Sequence, residues 1–271
     1  MHDADSTAME ILSAELHDAG CEGCREEGNV LHAWFSAEAF NEEHMQRIFL
    51  AYTPLMNISV EQRQLKEQNW NALWENNFSL VEITPECLVR ASFHAPSPLH
   101  RLNIVIDPKM SFGTGHHATT KLMAQYVLST DMTNKRVFDI GCGTGILAIL
   151  AAKQSAAAIC AVDNDTWAYV NSKENMLLNN VPQVEVFYGG LEILQGKTAD
   201  IILANINKNI LLSHIPAYSI MLASGRMCFL SGIFFEDKTI IDAAAAQHGL
   251  SYVSYMQHNE WIAVYYRKII Q

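Results

Sequence analysis

Asp139-Ile140-Gly141-Cys142-Gly143-Thr144-Gly145 decides how this chain folds. It follows a short apolar run, 136–140, that reads as a buried strand, and it leads into an apolar helical pattern over 146–153. Glycines at such a junction let the backbone turn sharply and approach a ligand closely. In an open parallel sheet the junction lies at the carboxyl edge, where ligands bind. The spacing is G-x-G-x-G, whereas a dinucleotide fingerprint places its third glycine one residue later. Asp139, two residues before the first glycine, suits a ligand with a free amino group and would repel a pyrophosphate.

Outward from this loop the chain alternates. Strands are expected at 158–162, 184–187, 201–204 and 226–230, and helices at 116–128, 166–179, 207–222 and 236–248. This alternation predicts a doubly wound, mostly parallel sheet. Two final strands, 251–257 and 261–267, form a hairpin that supplies an antiparallel edge strand. Asp163 closes the second strand, placed to accept hydrogen bonds from both ribose hydroxyls of an adenosine. NAD uses an acid there too, so Asp163 argues for adenosine and not for one cofactor over another. Together the glycine spacing, Asp139 and Asp163 point to S-adenosyl-L-methionine and a class I methyltransferase.

The first hundred residues read differently. A helix over 6–19 has Met9, Ile11, Leu12 and Leu16 near one face and stops at Gly20. A strand at 30–35, a helix at 38–50 and an extended stretch at 57–62 complete most of a split βαβ unit. No first strand is evident before Ser6, so either it is missing from this chain or the small domain is built differently. Residues 65–78, with Trp70 and Trp74 one helical turn apart, read as an amphipathic connector whose tryptophans pack between domains. Short strands are expected at 88–93 and 103–106. The expected division is a small substrate-recognition domain at 1–64, a linker with short strands at 65–102 and a catalytic domain at 103–271.

Composition narrows the function classes. Apolar residues make up 49% of 271 and charged ones 17%, which is globular material. No stretch of eighteen uninterrupted apolar residues occurs and the acidic N-terminus lacks a signal-peptide pattern, so a cytoplasmic protein without membrane contact is expected. The net charge is −11, and residues 1–50 carry eleven carboxylates against only Arg25 and Arg47. This acidic segment disfavours direct nucleic-acid contact and fits either a basic protein partner or a merely solvated surface. Cys21 and Cys24 form the only C-x-x-C spacing. Without a second pair for zinc, no metal site is expected, and without a thioredoxin-like context the two read as small residues around a turn.

More specific motifs flank the glycine loop. The stretch Asp107-Pro108-Lys109-Met110-Ser111-Phe112-Gly113-Thr114-Gly115-His116-His117-Ala118-Thr119-Thr120 resembles the D-P-x-x-x-F-G-T-G-x-H-x-T-T signature of the ribosomal protein L11 methyltransferase family (PrmA type). Ala204-Asn205-Ile206, Leu230-Ser231-Gly232-Ile233 and the tryptophan-bearing 69–78 are similar to further steps of that family. The resemblance is close over 69–267 and architectural over 1–68. It implies a small ferredoxin-like α+β domain that recognises a basic ribosomal protein, joined to a Rossmann-like α/β methyltransferase domain. It also implies methyl transfer to amino groups, lysine side chains or the N-terminus, and it carries cofactor contacts onto Thr120, Gly141, Asp163 and Asn205.

Physical reading adds Phe112, Asp139 and Gly143 to the cofactor set. Phe112 offers an aromatic face to a sulfonium or an adenine, and core packing explains it equally well. Thr120, about one turn into its helix, suits the cofactor's carboxylate or a neighbouring amide. His116 and His117 are readable as a general base or as structural residues at a helix start. Asn205 is followed by Ile206-Asn207, so it need not grip the acceptor nitrogen. No catalytic side chain is identified, in keeping with a displacement that needs alignment and desolvation more than a dedicated base. Competing readings are a methyltransferase for another protein or a small amine, an NAD-dependent oxidoreductase, and a binding module without turnover.

Overall fold

The computed structural model describes residues 3–28, 30–36, 40–53, 58–63, 79–107, 109 and 111–270. They fall into two compact units, one within 1–68 and the other within 69–271. The tryptophan-bearing stretch 65–78 lies outside the described residues.

In the smaller unit, helix α1 (Asp3–Asp18) leads into a hairpin of β1 (Gly23–Glu27) and β2 (Val30–Trp34), followed by α2 (Glu42–Tyr52). Asn41 caps α2 by accepting the His44 amide at 3.0 Å. Leu12, Leu16, Cys21, Met45, Ile48 and Tyr52 form its core. The sequence reading lacks β1, whose Gly-Cys-Arg-Glu-Glu shows no apolar alternation and is held by backbone pairing to β2. The extended stretch expected at 57–62 joins no ladder over its described residues, 58–62. The described elements are thus the central helix–hairpin–helix of the expected split βαβ unit.

The larger unit begins with a three-stranded sheet of β3 (Val81–Thr84), β4 (Cys87–Arg90) and β5 (Leu102–Val105), β3 antiparallel and β5 parallel to β4. Residues 81–102 were expected within a linker. Instead Val81, Ile83, Val89, Ile104 and Ile106 join one core with Met123 and Ile149, so this segment is part of the larger unit.

The main elements follow as α3 (Ala118–Ser129), β6 (Arg136–Ile140), α4 (Ile146–Lys153), β7 (Ala158–Asp163), α5 (Thr166–Leu178), β8 (Val184–Tyr188), β9 (Ala199–Asn205), α6 (Lys208–Met221), β10 (Leu222–Phe234), α7 (Lys238–Gln247), β11 (Leu250–His258) and β12 (Trp261–Lys268). The seven strands lie in the order β11-β12-β10-β9-β6-β7-β8. From β8 to β10 all neighbours are parallel, and β12 runs antiparallel between β10 and β11. The expected antiparallel strand is therefore β12, one position in from the edge, and β11 is the edge strand.

Both faces are covered, which explains the unbroken apolar runs of the central strands. Along β9, Ile201 and Leu203 enter one core cluster while Ile202 and Ala204 enter the other. The chain builds outward from β6 through β7 to β8, then returns to place β9 on the other side of β6. That reversal leaves a crevice at the carboxyl ends of β6 and β9. Leu203 is fully buried beside it. Leu203→Ala should lower unfolding free energy by about 2–5 kcal/mol, read as a lower denaturant midpoint with an unchanged slope.

Candidate cofactor site

The glycine loop occupies that crevice, and its shape is set by backbone contacts. Gly141, Gly143 and Gly145 all have positive φ, at 70°, 56° and 79°. The Gly141 and Cys142 amides donate to the Val162 carbonyl at 2.9 and 3.1 Å, fastening the loop to the end of β7. A Cβ on Gly143 would lie 2.3 Å from the Phe112 carbonyl oxygen, and one on Gly141 would lie 2.3 Å from the Ile206 Cγ2. The glycines therefore admit two neighbouring loops as well as any ligand.

Each acid has a defined place. Asp163 accepts the Gly143 amide at 2.8 Å through one oxygen and the Asp165 amide at 3.0 Å through the other. Two further lone pairs remain on the carboxylate for other donors. Asp139 is 1% exposed and accepts the Ala148 amide at 3.0 Å. Gly145, the N-cap of α4, has no side chain to offer, so Asp139 satisfies an open helix-start amide in its stead. Burial pushes the Asp139 carboxyl up to about 7, the Ala148 bond opposing and the Asp163 charge adding to the rise.

Among the described residues six buried side-chain polar atoms have no partner: Asp139 Oδ1 at the end of β6, Asn205 Oδ1 at the end of β9, Thr120 Oγ1 in α3, Ser111 Oγ, Asn171 Oδ1 and Arg90 Nε. Buried polar atoms are normally satisfied, so Asp139 and Asn205, at the carboxyl ends of the neighbouring strands β6 and β9, leave acceptors open to a donor. Asn205 Oδ1, and Asp139 Oδ1 when its carboxyl is ionised, are pure acceptors that suit a donor such as an ammonium, whose charge would itself favour the ionised form. A pyrophosphate brings only acceptors. Among the described residues no group of three His, Cys, Asp or Glu side chains could hold a metal.

Phe112 lies at the rim. Its ring is 55% exposed and meets His117 edge-on at 5.3 Å. The row continues from His117 to Trp261 at 4.7 Å and from Trp261 to Phe234 at 4.1 Å. A cavity of about 380 Å³ lined by Ser111, Phe112, Gly113, Thr114, His116 and His117 opens here. His117 accepts the Thr119 amide at 3.3 Å and caps α3, which favours its structural reading, and His116 lies 3.1 Å from the Thr114 hydroxyl. A second cavity, about 250 Å³, opens between Arg136, Ala158 and Thr198 at the amino ends of the strands, away from the edge that binds ligands in such sheets.

Supporting contacts escape the sequence reading. Asn171, Asn175 and Asn179 are buried at successive turns of α5 and its C-terminus. Asn171 donates to the Asp107 carbonyl at 3.0 Å, Asn175 accepts the Asp107 amide at 3.1 Å and donates to the Thr144 carbonyl at 3.0 Å, and Asn179 accepts the Val105 amide at 2.9 Å. Asparagine repeated at helical spacing in a poor position for it is the signal that was available. The Ile206 amide donates to the Ser231 carbonyl at 3.1 Å, and Gly232 packs so tightly there that a Cβ would sit 2.2 Å from the Ile206 carbonyl oxygen. Lys208 and Asp237 pair at 2.6 Å across the same two loops. Trp261 and Phe234 are both missed: Trp261 is visible in sequence only as the first residue of an expected strand, and Phe234 lies between an expected strand and an expected helix.

Residues 1–269 match the family model described as ribosomal protein L11 methyltransferase (PrmA). The chain is 37% identical over 266 residues to a ribosomal protein L11 methyltransferase of Bacteroides fragilis, covering 97% of this chain and 95% of that one. It is 38% identical over 262 residues to one of Porphyromonas gingivalis, covering 95% and 90%. A crystal structure of a ribosomal protein L11 methylase from Lactobacillus delbrueckii subsp. bulgaricus superposes with a TM-score of 0.66 at 25% identity, over 71% of this chain and all of that one.

The raised Asp139 carboxyl makes folding stability depend on pH. Below its ordinary value of 3.8 the group is protonated folded or unfolded. Between there and about 7 the unfolded chain loses the proton while the folded chain keeps it, so stability falls as pH rises. Asp139→Asn should flatten this slope in ligand-free protein, leaving the variant the more stable of the two above pH 7. Denaturant titrations at pH 4.5 to 8 check it, and identical slopes for the two proteins would contradict it.

Proposed function

This chain belongs to the ribosomal protein L11 methyltransferase family, and on that premise we propose that it transfers methyl groups from S-adenosyl-L-methionine to amino groups of the ribosomal protein L11. The observation that carries this reading is the set of unsatisfied buried acceptors, Asp139 Oδ1 and Asn205 Oδ1, beside a glycine loop braced by Asp163. When bound, the cofactor supplies an electrophilic methyl group on a sulfonium.

The residues of the chain have separate tasks in this scheme. Asp139 and Asn205 accept hydrogen bonds from the amino group of the cofactor's amino-acid end, and the Thr120 hydroxyl bonds its carboxylate. Asp163 keeps its two backbone donors and receives the ribose hydroxyls on its remaining lone pairs. Gly141 and Gly143 keep the loop floor free of side chains. Phe112 would line one side of the reaction space, with His117 and Trp261 behind it, and an acceptor seated against this aromatic rim would complete the exclusion of water.

The acceptor must arrive as a free amine. A lysine ordinarily titrates near 10.4, and burial against an aromatic wall lowers that value and favours the neutral form. His117 is engaged as the cap of α3, and the displacement proceeds by alignment and desolvation of the amine. The acidic residues of the smaller unit suit a basic ribosomal protein and repel a phosphate backbone. A ribosomal-protein acceptor suits a reaction in the cytoplasm. Among the described residues no helix is long and apolar enough to cross a membrane.

Labelled methyl transfer to purified L11 and to total ribosomal proteins tests the proposal, with mass spectrometry of the product. Label confined to L11 is the expected result. Label on small amines or on other ribosomal proteins alone would overturn the substrate, and cofactor binding without any transfer would overturn the activity. Asp163→Ala should weaken S-adenosyl-L-methionine binding more than about 100-fold, through loss of charge-assisted hydrogen bonds worth roughly 1.5–3 kcal/mol each. Calorimetry measures the affinity, and an unchanged far-ultraviolet spectrum shows that the fold persists.

A further inference from the structure

The smaller unit carries a pair of thiols that methyl transfer does not use. Cys21 lies in the turn after α1, where Gly20 at φ 94° redirects the chain, and Cys24 is the second residue of β1. Their Sγ atoms are 3.4 Å apart. The Cys21 thiol also donates to the Gly23 carbonyl at 2.9 Å. Cys21 is buried in the core with Leu12, Leu16 and Met45, whereas Cys24 is half-buried beside it. In sequence the two look like small residues around a turn; the fold turns both sulfurs toward each other.

Sulfurs at 3.4 Å need to approach only to about 2.05 Å to bond. Residues i and i+3 across a turn can close that gap by side-chain rotation. Among the described residues no cluster of three or more metal ligands includes the pair. What remains open to two adjacent thiols is exchange with a disulfide.

We propose that Cys21 and Cys24 form a thiol–disulfide site that reacts with low-molecular-weight disulfides to give an intramolecular disulfide. Cys24, the more accessible of the two, releases its proton to solvent and attacks one sulfur of the reagent. The reagent's sulfur–sulfur bond breaks, and the departing half takes up a proton as a free thiol. Cys21 then loses its proton and attacks Cys24 Sγ in the mixed disulfide, expelling the second half as a second thiol. Two protein thiols are oxidised to one disulfide, and one reagent disulfide is reduced to two thiols. Burial and the bond to Cys21 raise the Cys24 thiol above its ordinary range, so the first attack is slow at neutral pH and quickens as pH rises. The cross-link ties the end of α1 to β1 and is independent of the methyl-transfer reading.

The test uses the full chain in graded mixtures of reduced and oxidised glutathione, quenched, alkylated and mapped by mass spectrometry. The peptide holding both residues should pass from doubly alkylated to unalkylated and lighter by two hydrogens than the reduced form, without accumulating a glutathione adduct. Cys21→Ser should instead stop at a glutathione adduct on Cys24. A wild-type peptide that stays doubly alkylated at the oxidised end, or that stops as the adduct, would overturn the proposal. Because the wild-type measurement decides the matter, misfolding of the variant would not obscure it.

Discussion

Gly141 and Gly143, held at positive φ against Ile206 and the Phe112 carbonyl, form the contact on which the larger unit's site depends. Any Cβ at these positions would collide with its neighbour, so the loop after β6 can meet the loops before α3 and after β9 only as bare backbone. The Gly143 amide turned toward Asp163 and the Thr144 amide donating to the Phe112 carbonyl at 2.9 Å complete the junction. Three loops far apart in sequence are thereby registered at the one place where the order of strands reverses.

The second feature is electrostatic tension in the ligand-free site. Asp139 is enclosed, only one of its oxygens is bonded, and a second carboxylate lies near enough to raise its affinity for a proton. A cationic ligand would relieve all three conditions, since it brings donors and a positive charge to a group that water no longer reaches. The same geometry disfavours a phosphate-bearing cofactor. Asp139 also serves the fold without ligand, because the Ala148 amide at the start of α4 would otherwise lack an acceptor.

Rigidity around the site comes from polar bonding as much as from apolar packing. The asparagines of α5 hold the peptides of residues 105 and 107, just before the Ser111–Phe112 rim, and Asn175 also grips Thr144 in the glycine loop. On the other flank, Ser231, Gly232 and the Lys208–Asp237 pair fix the step that presents Asn205. The smaller unit is a separate body with its own core, its acidic surface and a thiol pair.

Local chemistry is what the amino-acid sequence determined by itself. Glycine spacing states a backbone conformation, and an acid at a strand end states a carboxylate at the carboxyl edge of the sheet. Strand–helix alternation states a parallel sheet. These are short-range requirements, so the glycine loop, Asp139, Asp163 and the order of elements from α3 to β12 were legible. Tertiary structure alone decided what depends on partners distant in the chain. It placed β12 between β10 and β11, and it drew Val81–Arg90 into the core of the larger unit. It also set Trp261 behind His117, spaced the Asn171–Asn179 bonds and brought Cys21 to Cys24. Strand pairing and side-chain packing are chosen by the sum of many long-range contacts, and no local window of residues contains that sum.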